Sequence, residues 1–410
     1  MNERLRVGIV GGSIAGCVTA AALLQHDIDV EVLERSSSDL GERGAGITLP
    51  QELVREMKRR RLLDSDFDGA NVSAREWRVP DGTEDLGRLA FKQAMHDSQM
   101  QHWGVLLNNL RKRVPEARYI RGAMICTLRQ DQAGVTVASA AGDVRRYELI
   151  IGADGYRSTV RRLVLPGAIP TYAGYPAWRG AIEERLIRKP EAVAKAVQMV
   201  GVPRGHASLY MIPGVDGNVA PGNRRVNWLI YDAAAPPEVT GARQSAAEGA
   251  VHAVPPGGLT KLQAEYLHAL AQDHLPPWHA DVVLSTTSPY MQTMHDLLLD
   301  TSVVGRVCLV GDAAMIARPH TGSGASKAVR DALCLADALA GTGSVQEGLG
   351  LYRDGRVPSG NALVRLGRDL GRELVLDAPD WRSLDESGYA TLITSGATSR
   401  TYFAGRGRVL

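Results

Sequence analysis

Residues 7–34 read VGIVGGSIAGCVTAAALLQHDIDVEVLE, and this stretch decides the fold. Residues 7–10 form a short apolar run, which is typical of a strand buried on both faces. Residues 15–24 are rich in Ala and Leu and favour a helix that packs closely on a sheet. Residues 30–33 form a second apolar run. The order of strand, glycine turn, helix and strand predicts a parallel sheet of the α/β class.

The turn between the first strand and the helix has the spacing of a phosphate-binding loop. Gly11 and Gly16 let the chain turn tightly and bring backbone amides toward a pyrophosphate at a helix N-terminus. Ser13 replaces the usual middle glycine and is small enough for the same approach. Glu34 ends the second strand about 20 residues further on, where an acid binds ribose hydroxyls. Because glycine turns also occur without a ligand, it is this context that predicts a dinucleotide site.

Two further apolar runs end in similar turns, although they lie far away along the chain. Residues 149–151 are followed by Gly-Ala-Asp-Gly at 152–155, and residues 307–310 by Gly-Asp-Ala-Ala at 311–314. Open α/β sheets bind ligands at the carboxyl ends of their strands. We therefore expect one site assembled from all three turns.

The texture of the sequence changes between residues 172 and 295, where β-favouring segments such as 207–212 and 225–231 predict a mostly antiparallel sheet. We interpret this region as a second domain inserted into the first, followed by helices to about residue 376. The expected domains are 1–71, 92–171 and 296–376 for the first, 72–91 and 172–295 for the second, and 377–410 as a C-terminal extension.

Composition excludes several classes of protein. The 410 residues carry 47 Lys and Arg against 45 Asp and Glu, so the formal net charge of +2 gives no general attraction to nucleic acid or membranes. The four cysteines are far apart, which favours neither a disulfide framework nor a metal site. No signal-peptide core and no apolar run of about 18 residues is present. We expect a cytoplasmic protein that binds no metal.

The motifs together resemble those of FAD-dependent aromatic hydroxylases of the para-hydroxybenzoate hydroxylase type. The resemblance is carried by Glu34-Arg35, by Arg-Gly-Ala-Gly-Ile at 43–47, by the Asp-Gly motif at 152–161, and by the Gly-Asp motif at 311–314 followed by Pro319 and Gly-Ser-Gly at 322–324. It implies a Rossmann-like FAD-binding domain with an inserted, mostly antiparallel substrate domain and C-terminal helices.

The resemblance also implies roles for individual residues. Glu34 would bind the adenosine ribose, Arg43 the pyrophosphate or ribityl chain, and Asp312 the ribityl hydroxyls. Asp154 would contact FAD and help to receive the nicotinamide. Arg111 is a further candidate, although Trp103 stands where many relatives have an arginine. The FAD contacts expected in this way are Gly11, Ser13, Ile14, Ala15, Glu34, Arg35, Arg43, Gly46, Arg111, Ile125, Asp154, Asp312, Gly322, Gly324 and Ala325.

Within this family, residues 172–180, 227–228, 289–296 and 317–320, together with Lys327, are similar to the 2,6-dihydroxypyridine 3-monooxygenase branch. This implies hydroxylation of a hydroxylated pyridine with NAD(P)H and O2 through a flavin C4a-hydroperoxide. NAD(P)H would bind transiently, since no second glycine motif is present.

Several alternatives to this function stay open. One is a hydroxylase of another phenol or heteroaromatic ring in natural-product tailoring, for example of a piericidin-like pyridine. The others are an FAD-linked reductase that transfers no oxygen, and a non-catalytic flavin- or NAD-binding protein. A halogenase is disfavoured because no Trp-X-Trp-X-Ile-Pro stretch is present.

Hydroxylation requires removal of a proton from the ring hydroxyl, so a base or a relay must reach it. His320 and Tyr210 are the candidates, and Pro319 by resemblance lies at the reactive edge of the flavin. A structural histidine and a half-buried strand tyrosine are equally good interpretations. The expected substrate contacts are Thr48, Trp178, Tyr210, Trp228 and His320. The expected partner is a small aromatic substrate, and a homo-oligomer is left open.

Overall fold

The computed structural model describes residues 4–40, 46–95, 98–241 and 253–397 and confirms the predicted mixed α/β fold. The strands in chain order are β1 (Arg6–Val10), β2 (Asp29–Leu33), β3 (Gly46–Pro50), β4 (Ala70–Asn71), β5 (Ala74–Val79), β6 (Arg88–Ala94), β7 (Ser98–His102), β8 (Tyr119–Ile120), β9 (Ile125–Gln130), β10 (Val135–Ser139), β11 (Val144–Tyr147), β12 (Leu149–Gly152), β13 (Thr171–Glu183), β14 (Ala196–Val202), β15 (Gly205–Ile212), β16 (Arg225–Asp232), β17 (Tyr290–Asp296), β18 (Val303–Val304) and β19 (Val307–Leu309).

The α-helices vary from one turn to 27 residues, and the longest two lie near the C-terminal end of the chain. In chain order they are α1 (Ile14–Leu24), α2 (Gln51–Arg59), α3 (Trp103–Arg111), α4 (Thr159–Val164), α5 (Pro237–Thr240), α6 (Lys261–His274), α7 (Pro277–Leu284), α8 (Gly324–Gly341), α9 (Val345–Gly371) and α10 (Glu386–Ser395). None of the described helices combines the length and the apolar character that crossing a bilayer requires.

The parallel sheet has the strand order β18-β19-β12-β1-β2-β8, in which only the β18–β19 pair is antiparallel. The three strands that precede the glycine turns, β1, β12 and β19, are direct neighbours in it. Their buried apolar side chains explain why these strands read as continuous hydrophobic runs. The three turns therefore meet at one edge of the sheet, as the sequence predicts.

The seven-stranded sheet has the order β17-β13-β16-β15-β14-β5-β6 and is antiparallel except for the β14–β5 pair. Alternate residues along each strand point to opposite faces. One face packs against α6 and α7, and the other faces the turns of the parallel sheet. Two small antiparallel sheets, β11-β10-β9 and β3-β7-β4, flank this core.

The described part of the C-terminal extension packs on the seven-stranded sheet. The Trp381 indole stacks on Trp77 with 4.8 Å between ring centroids, and its Nε1 donates to the Gly205 carbonyl at 2.8 Å. Tyr389 and Ile393 of α10 are fully buried beside it. The segment up to residue 397 is thus part of the core of this sheet.

Candidate active site

A cavity of about 710 Å³ lies between the carboxyl edge of the parallel sheet and the seven-stranded sheet. Its volume is typical of small-molecule and cofactor sites. Most residues predicted from the sequence line it. They are Gly11, Ser13, Ile14, Ala15, Glu34, Arg35, Gly46, Thr48, Ile125, Asp154, Tyr210, Asp312, Pro319, His320, Gly322, Gly324 and Ala325.

The first turn is shaped for close approach of a ligand to the backbone. Gly11 has φ +106°, and a Cβ added there would lie 2.5 Å from the Ala153 carbonyl oxygen, so only glycine fits. Ser13, the N-cap of α1, makes no side-chain cap bond. The first amides of α1 therefore remain available to an anion at the positive end of the helix.

Glu34 is held rigidly at the end of β2. It is 5% exposed, and its two carboxylate oxygens accept hydrogen bonds from the Gly12 and Ser36 amides, each at 2.7 Å. Each carboxylate oxygen can accept a further bond. Glu34 can therefore accept hydrogen bonds from hydroxyl groups of a ligand in the cavity, and its role at a ribose stays a prediction.

A buried ion network fixes the turn that carries Asp312. Lys327 Nζ donates to the Gly311 carbonyl and to Asp331 Oδ2, both at 2.8 Å. Asp331 also accepts from the Gly311 amide at 3.0 Å and from Arg356 Nε at 2.8 Å. Lys327 and Asp331 are 3% and 0% exposed. The amide and the carbonyl of Gly311 are thus both clamped, and Asp312, which lines the cavity, follows directly.

Asp312 lines the cavity, and its side chain is exposed toward it. Desolvation by the surrounding protein raises the pKa of its carboxyl group, and the charge of Asp331 adds to the rise, whereas Lys327 and Arg161 oppose it. Arg161 is 1% exposed and donates to the carbonyls of Asp312 and Ala313 and to that of Tyr156. Arg161 therefore ties the second and third turns together.

Asp154, in the second turn, lines the cavity, but its carboxylate caps α4. It accepts bonds from the amides of Thr159 at 2.7 Å and Val160 at 3.1 Å and from the Ser158 hydroxyl. These bonds satisfy the free amides of the helix start. The capping role accounts for Asp154 by itself, and its contact with a cofactor stays a prediction.

His320 lies at the far end of the cavity, in a cluster of aromatic rings. Its Nε2 is 2.8 Å from the Tyr175 hydroxyl, and its ring centroid is 3.8 Å from that of Tyr231. Nδ1 is buried without a hydrogen-bond partner among the described residues. Burial lowers the pKa of His320 well below its ordinary value, and the interactions with His206 and with the positive charge of Arg318 lower it further. His320 is therefore neutral at physiological pH.

Tyr210 lines the cavity, but its hydroxyl is engaged by the backbone. It donates to the Gly46 carbonyl at 3.1 Å, while the Gly46 amide donates to Asn227 Oδ1 at 2.7 Å. A Cβ at Gly46 would lie 2.6 Å from the Tyr210 ring, so β3 approaches the seven-stranded sheet closely only because this residue is glycine. Burial raises the pKa of Tyr210 to about 12.

Three predicted site residues lie elsewhere. Trp178 and Trp228 are fully buried on the opposite face of the seven-stranded sheet, where their indole nitrogens donate to Asp232 and Thr286. A strand presents alternate residues to each face, and both tryptophans fall on the core side. Arg111 does not line the cavity; its guanidinium stacks on Tyr119, 4.0 Å from the ring centroid. Arg43 lies outside the described residues.

Eight residues of the seven-stranded sheet that line the cavity were not predicted from the sequence: Arg75, Arg179, Val197, Met199, His206, Ser208, Leu229 and Tyr231. Strand alternation was the available signal for Arg179, because it adjoins Trp178 and must face the other way. Nothing in the sequence indicated which face was the core.

The residues present fit FAD. The glycine turn and the free amides of α1 suit a pyrophosphate, Glu34 suits a ribose, and Asp312 suits the ribityl chain. The family model described as FAD binding domain matches residues 4–175 and 260–366, and a second one, described as FAD binding domain-like, matches residues 172–296. The chain therefore belongs to the FAD binding domain family, and its fold and cavity place it in the class of FAD-binding proteins.

The relatives narrow this class to aromatic hydroxylases and confirm the predicted resemblance. The chain is 28% identical to 2,6-dihydroxypyridine 3-monooxygenase of Paenarthrobacter nicotinovorans, over 90% of this chain and 91% of the relative. It is 27% identical to 3-amino-4-hydroxybenzoate 2-monooxygenase of Streptomyces cremeus, over 95% and 93%. The solved structure of 2,6-dihydroxypyridine-3-hydroxylase from Arthrobacter nicotinovorans superimposes with a TM-score of 0.80 at 26% identity, over 91% of this chain and 93% of that one.

Proposed function

We propose that this protein hydroxylates a hydroxylated pyridine ring, with FAD as cofactor, NAD(P)H as reductant and O2 as oxidant. The observation that carries the proposal is the continuous cavity, which runs from the glycine turn after β1 to the aromatic cluster around His320. A nucleotide-bound flavin and a small ring fit in the same cavity. The choice of a pyridine as the ring rests on the similarity of the chain to 2,6-dihydroxypyridine 3-monooxygenase.

FAD would be held by the turns after β1, β12 and β19, with Glu34 and Asp312 as the acceptors of hydrogen bonds from its hydroxyl groups. When bound, FAD supplies the activation of O2 and the delivery of one oxygen atom to the ring, chemistry that no side chain provides. The protein contributes position and the exclusion of water. Met199, Leu229 and Tyr231 line the part of the cavity where the ring would lie.

His320 and Tyr210 remain the proposed residues for handling the proton of the ring hydroxyl, with Pro319 beside the flavin edge. The 2.8 Å contact between His320 and the Tyr175 hydroxyl supports a relay rather than a lone base, because its lowered pKa makes His320 a weak proton acceptor. The hydroxyl of Tyr210 is already bonded to the Gly46 carbonyl, so the role proposed for Tyr210 is to position the substrate hydroxyl, and the proton itself is assigned to His320.

The proposed function is tested by NAD(P)H oxidation in the presence of a panel of hydroxypyridines and phenols, with product masses. We expect at least one hydroxypyridine to stimulate NAD(P)H oxidation and to gain one oxygen atom. Stimulation by phenols alone would replace the pyridine with the phenol alternative. Rapid NAD(P)H oxidation that no ring compound changes, without an oxygenated product, would instead indicate a reductase.

The proton relay is tested with His320→Gln. We expect FAD content to stay normal while the ratio of product formed to NAD(P)H consumed falls, because removal of a proton-transfer group costs about 10²–10⁴-fold in that step. Loss of FAD would assign His320 a structural role in the loop after Pro319. An unchanged ratio would remove His320 from the reaction.

The domain division is also part of the proposal. An FAD-binding domain of 1–71, 92–171 and 296–376, with a substrate domain of 72–91 and 172–295, is supported by the membership of β5, β6 and β13–β17 in one sheet. Since β6 ends at Ala94, we move the end of the first substrate-domain segment from residue 91 to residue 94.

A cytoplasmic location is supported by four free thiols. Light scattering would determine whether the protein forms a homo-oligomer.

A further inference from the structure

Three methionines line the cavity, and they differ in exposure. Met199 of β14 is 6% exposed and Met100 of β7 is 1% exposed, whereas Met124, which directly precedes β9, is 52% exposed. A thioether is polarizable, and electrophilic oxygen converts it to a sulfoxide. The cavity of an enzyme that transfers an oxygen atom to a ring therefore also holds internal acceptors for that atom.

Met199 lies in the part of the cavity where the ring would bind. It is directly opposite Ser208 of β15, and Ser208 is directly opposite Leu229 of β16, so the three side chains form one row on the same face of the sheet. All three line the cavity. Neighbouring strands are about 4.8 Å apart, so the row from Met199 to Leu229 is about 10 Å long. A ring that covers this row would shield Met199, and an empty cavity leaves it open.

The neighbours of Met199 on this face react less readily with electrophilic oxygen. Tyr210 and Tyr231 are phenols, but burial raises the pKa of Tyr210 to about 12 and raises the pKa of Tyr231 as well. Both therefore stay protonated, and a neutral phenol is a weaker nucleophile than a phenolate. None of the four cysteines, all of which the structure describes, lines the cavity. The thioether of Met199 is thus the acceptor closest to the place of the ring.

The other two methionines differ from Met199 in ways that an experiment can use. The Met100 sulfur accepts a hydrogen bond from the Thr48 hydroxyl at 3.3 Å, which engages a lone pair. Met124 lies between β8 and β9, on the side of the parallel sheet, and its exposure opens it to peroxide from solution. Oxygen released inside the cavity and peroxide in solution should therefore oxidise different methionines.

We propose that Met199 is a site of self-oxidation, to which the enzyme transfers an oxygen atom when it activates O2 without a ring in the cavity. The inference rests on the proposed function for the activation of O2. One oxygen atom of O2 forms the S=O bond of methionine sulfoxide as the O–O bond breaks, and the other leaves as water. NAD(P)H supplies a hydride and solvent supplies a proton, so sulfur and NAD(P)H are oxidised and O2 is reduced.

Oxidation of Met199 would weaken ring binding. A sulfoxide turns an apolar side chain into a polar one with an oxygen acceptor. The Ser208 hydroxyl on the opposite strand can donate a hydrogen bond to that oxygen, which would hold it in the row beneath the ring. We expect affinity for the ring to fall about 5- to 30-fold because a polar atom then faces an apolar ring surface. FAD should stay bound, because its proposed contacts lie in the turns of the parallel sheet.

The first experiment follows the oxygen atom in the wild-type FAD-bound enzyme. The flavin is reduced by NAD(P)H, or by light under nitrogen, and is mixed with isotopically labelled O2 in repeated cycles. No ring compound is added, and catalase removes hydrogen peroxide. Peptide mass spectrometry measures the labelled sulfoxide at each methionine, and we expect at least about fivefold more at Met199 than at Met100 or Met124. Met294, which is 1% exposed and outside the cavity, is the internal control.

A parallel sample receives hydrogen peroxide and no reductant. Because susceptibility to dissolved peroxide follows exposure, we expect Met124 to be oxidised before Met199 in this sample. The same order of oxidation in both samples would show that dissolved peroxide is the oxidant in each, and it would overturn the inference.

The second experiment connects oxidation with ring binding through Met199→Leu, an apolar replacement of similar volume. Affinity for 3-hydroxypyridine is measured from the change in flavin absorbance before and after the cycles. We expect it to fall in the wild type and to stay constant in Met199→Leu, with equal FAD content in both. Met124→Leu removes the exposed thioether instead and is the matched control, which should lose affinity as the wild type does.

The outcomes separate this inference from the proposed function. Labelled sulfoxide that is absent from Met199, or no more abundant there than at Met100 and Met124, would overturn self-oxidation even if a ring is hydroxylated. Labelled sulfoxide concentrated at Met199 would support it even if no hydroxypyridine gains oxygen, and the proposed substrate alone would then be wrong. An equal loss of ring affinity in Met199→Leu would overturn the link between the sulfoxide and ring binding.

Discussion

Replacing Lys327 with Met removes the cation that clamps the Gly311 peptide, and it tests whether a buried ion network controls the cofactor site. In the wild-type protein, Lys327 bonds both the Gly311 carbonyl and Asp331, each at 2.8 Å. The variant leaves Asp331 with Arg356 and the Gly311 amide, but leaves the carbonyl without its donor. Met is similar in length and apolar, so the buried volume is largely kept.

Two magnitudes follow from this geometry. Breaking a buried ion pair by removing one partner costs about 3–5 kcal/mol of unfolding free energy. Because Asp331 keeps its bond to Arg356, we expect the lower end, about 3 kcal/mol. FAD binding would then have to re-order the released turn, and ordering one residue costs about 1–2 kcal/mol. The FAD dissociation constant should therefore rise about 5- to 30-fold.

The assays are titration of apoprotein with FAD, followed by flavin fluorescence, and urea unfolding of the same preparations. Arg330→Met removes a cation from the same helix without touching Gly311 and is the control. In the double variant Lys327→Met/Asp331→Asn, the loss should be smaller than the sum of the single losses, because the two residues form one network. Unchanged FAD affinity together with an unchanged unfolding midpoint in Lys327→Met would refute the clamp.

Three further predictions concern the cofactor turns and the response to acid. Asp312→Ala should weaken FAD binding about 10- to 150-fold through loss of a charged acceptor, measured by flavin fluorescence; unchanged affinity would remove Asp312 from the cofactor site. Gly11→Ala should weaken FAD binding about 30-fold or more, since the added Cβ would lie 2.5 Å from the Ala153 carbonyl oxygen. Gly122→Ala is the control: Gly122 also has a positive φ, +73°, but the space around it is open, so FAD binding should not change. Burial lowers the pKa of His279 from 6.5 to about 3, so its contribution to stability is present above pH 6.5 and is lost as the pH falls toward 3. His279→Met should therefore gain about 2 kcal/mol over the wild type between pH 7 and pH 5 in urea unfolding, and a pH-independent difference would contradict this.

The cofactor half of the site could be predicted because its signals are local. A glycine turn between a strand and a helix depends on backbone conformation, and the residues that allow it are adjacent in sequence. Glu34 could be placed for the same reason, since β2 and the turn after β1 belong to one βαβ unit. The meeting of the turns after β1, β12 and β19 could be predicted because ligands bind where parallel strands end.

The substrate half could not be predicted, because it depends on which face of a sheet is buried. A one-residue change in register moves every side chain of a strand to the other face. All eight residues of β15 are buried, so its sequence pattern does not distinguish the two faces. On β13 the run 175–178 is likewise buried without alternation. Trp178 was therefore predicted in the cavity and Arg179 was overlooked, although they are neighbours on one strand.

The role of Lys327 depends on its burial, which its position in the sequence does not indicate. Lys327 and Asp331 stand four residues apart on α8, a spacing that usually indicates a surface ion pair worth a few tenths of a kcal/mol. In the folded protein both residues are buried against the Gly311 turn. The spacing could be read from the sequence, but its energetic importance depends on the packing of α8 against α1 and α9.

Gly46 connects the cofactor side and the substrate side of the cavity, and this contact limits how the two sides can move relative to each other. The Gly46 carbonyl accepts a hydrogen bond from the Tyr210 hydroxyl, and the Gly46 amide donates one to Asn227 Oδ1. Side chains of β15 and β16 therefore hold the first residue of β3. β3 in turn pairs with β7, which leads into α3. A shift of the seven-stranded sheet on substrate binding would therefore move β3 as well, because Gly46 leaves no room for independent motion. Tyr210 is then best understood as part of this connection between substrate and cofactor sides, and a proton relay has to be sought at His320 and Tyr175.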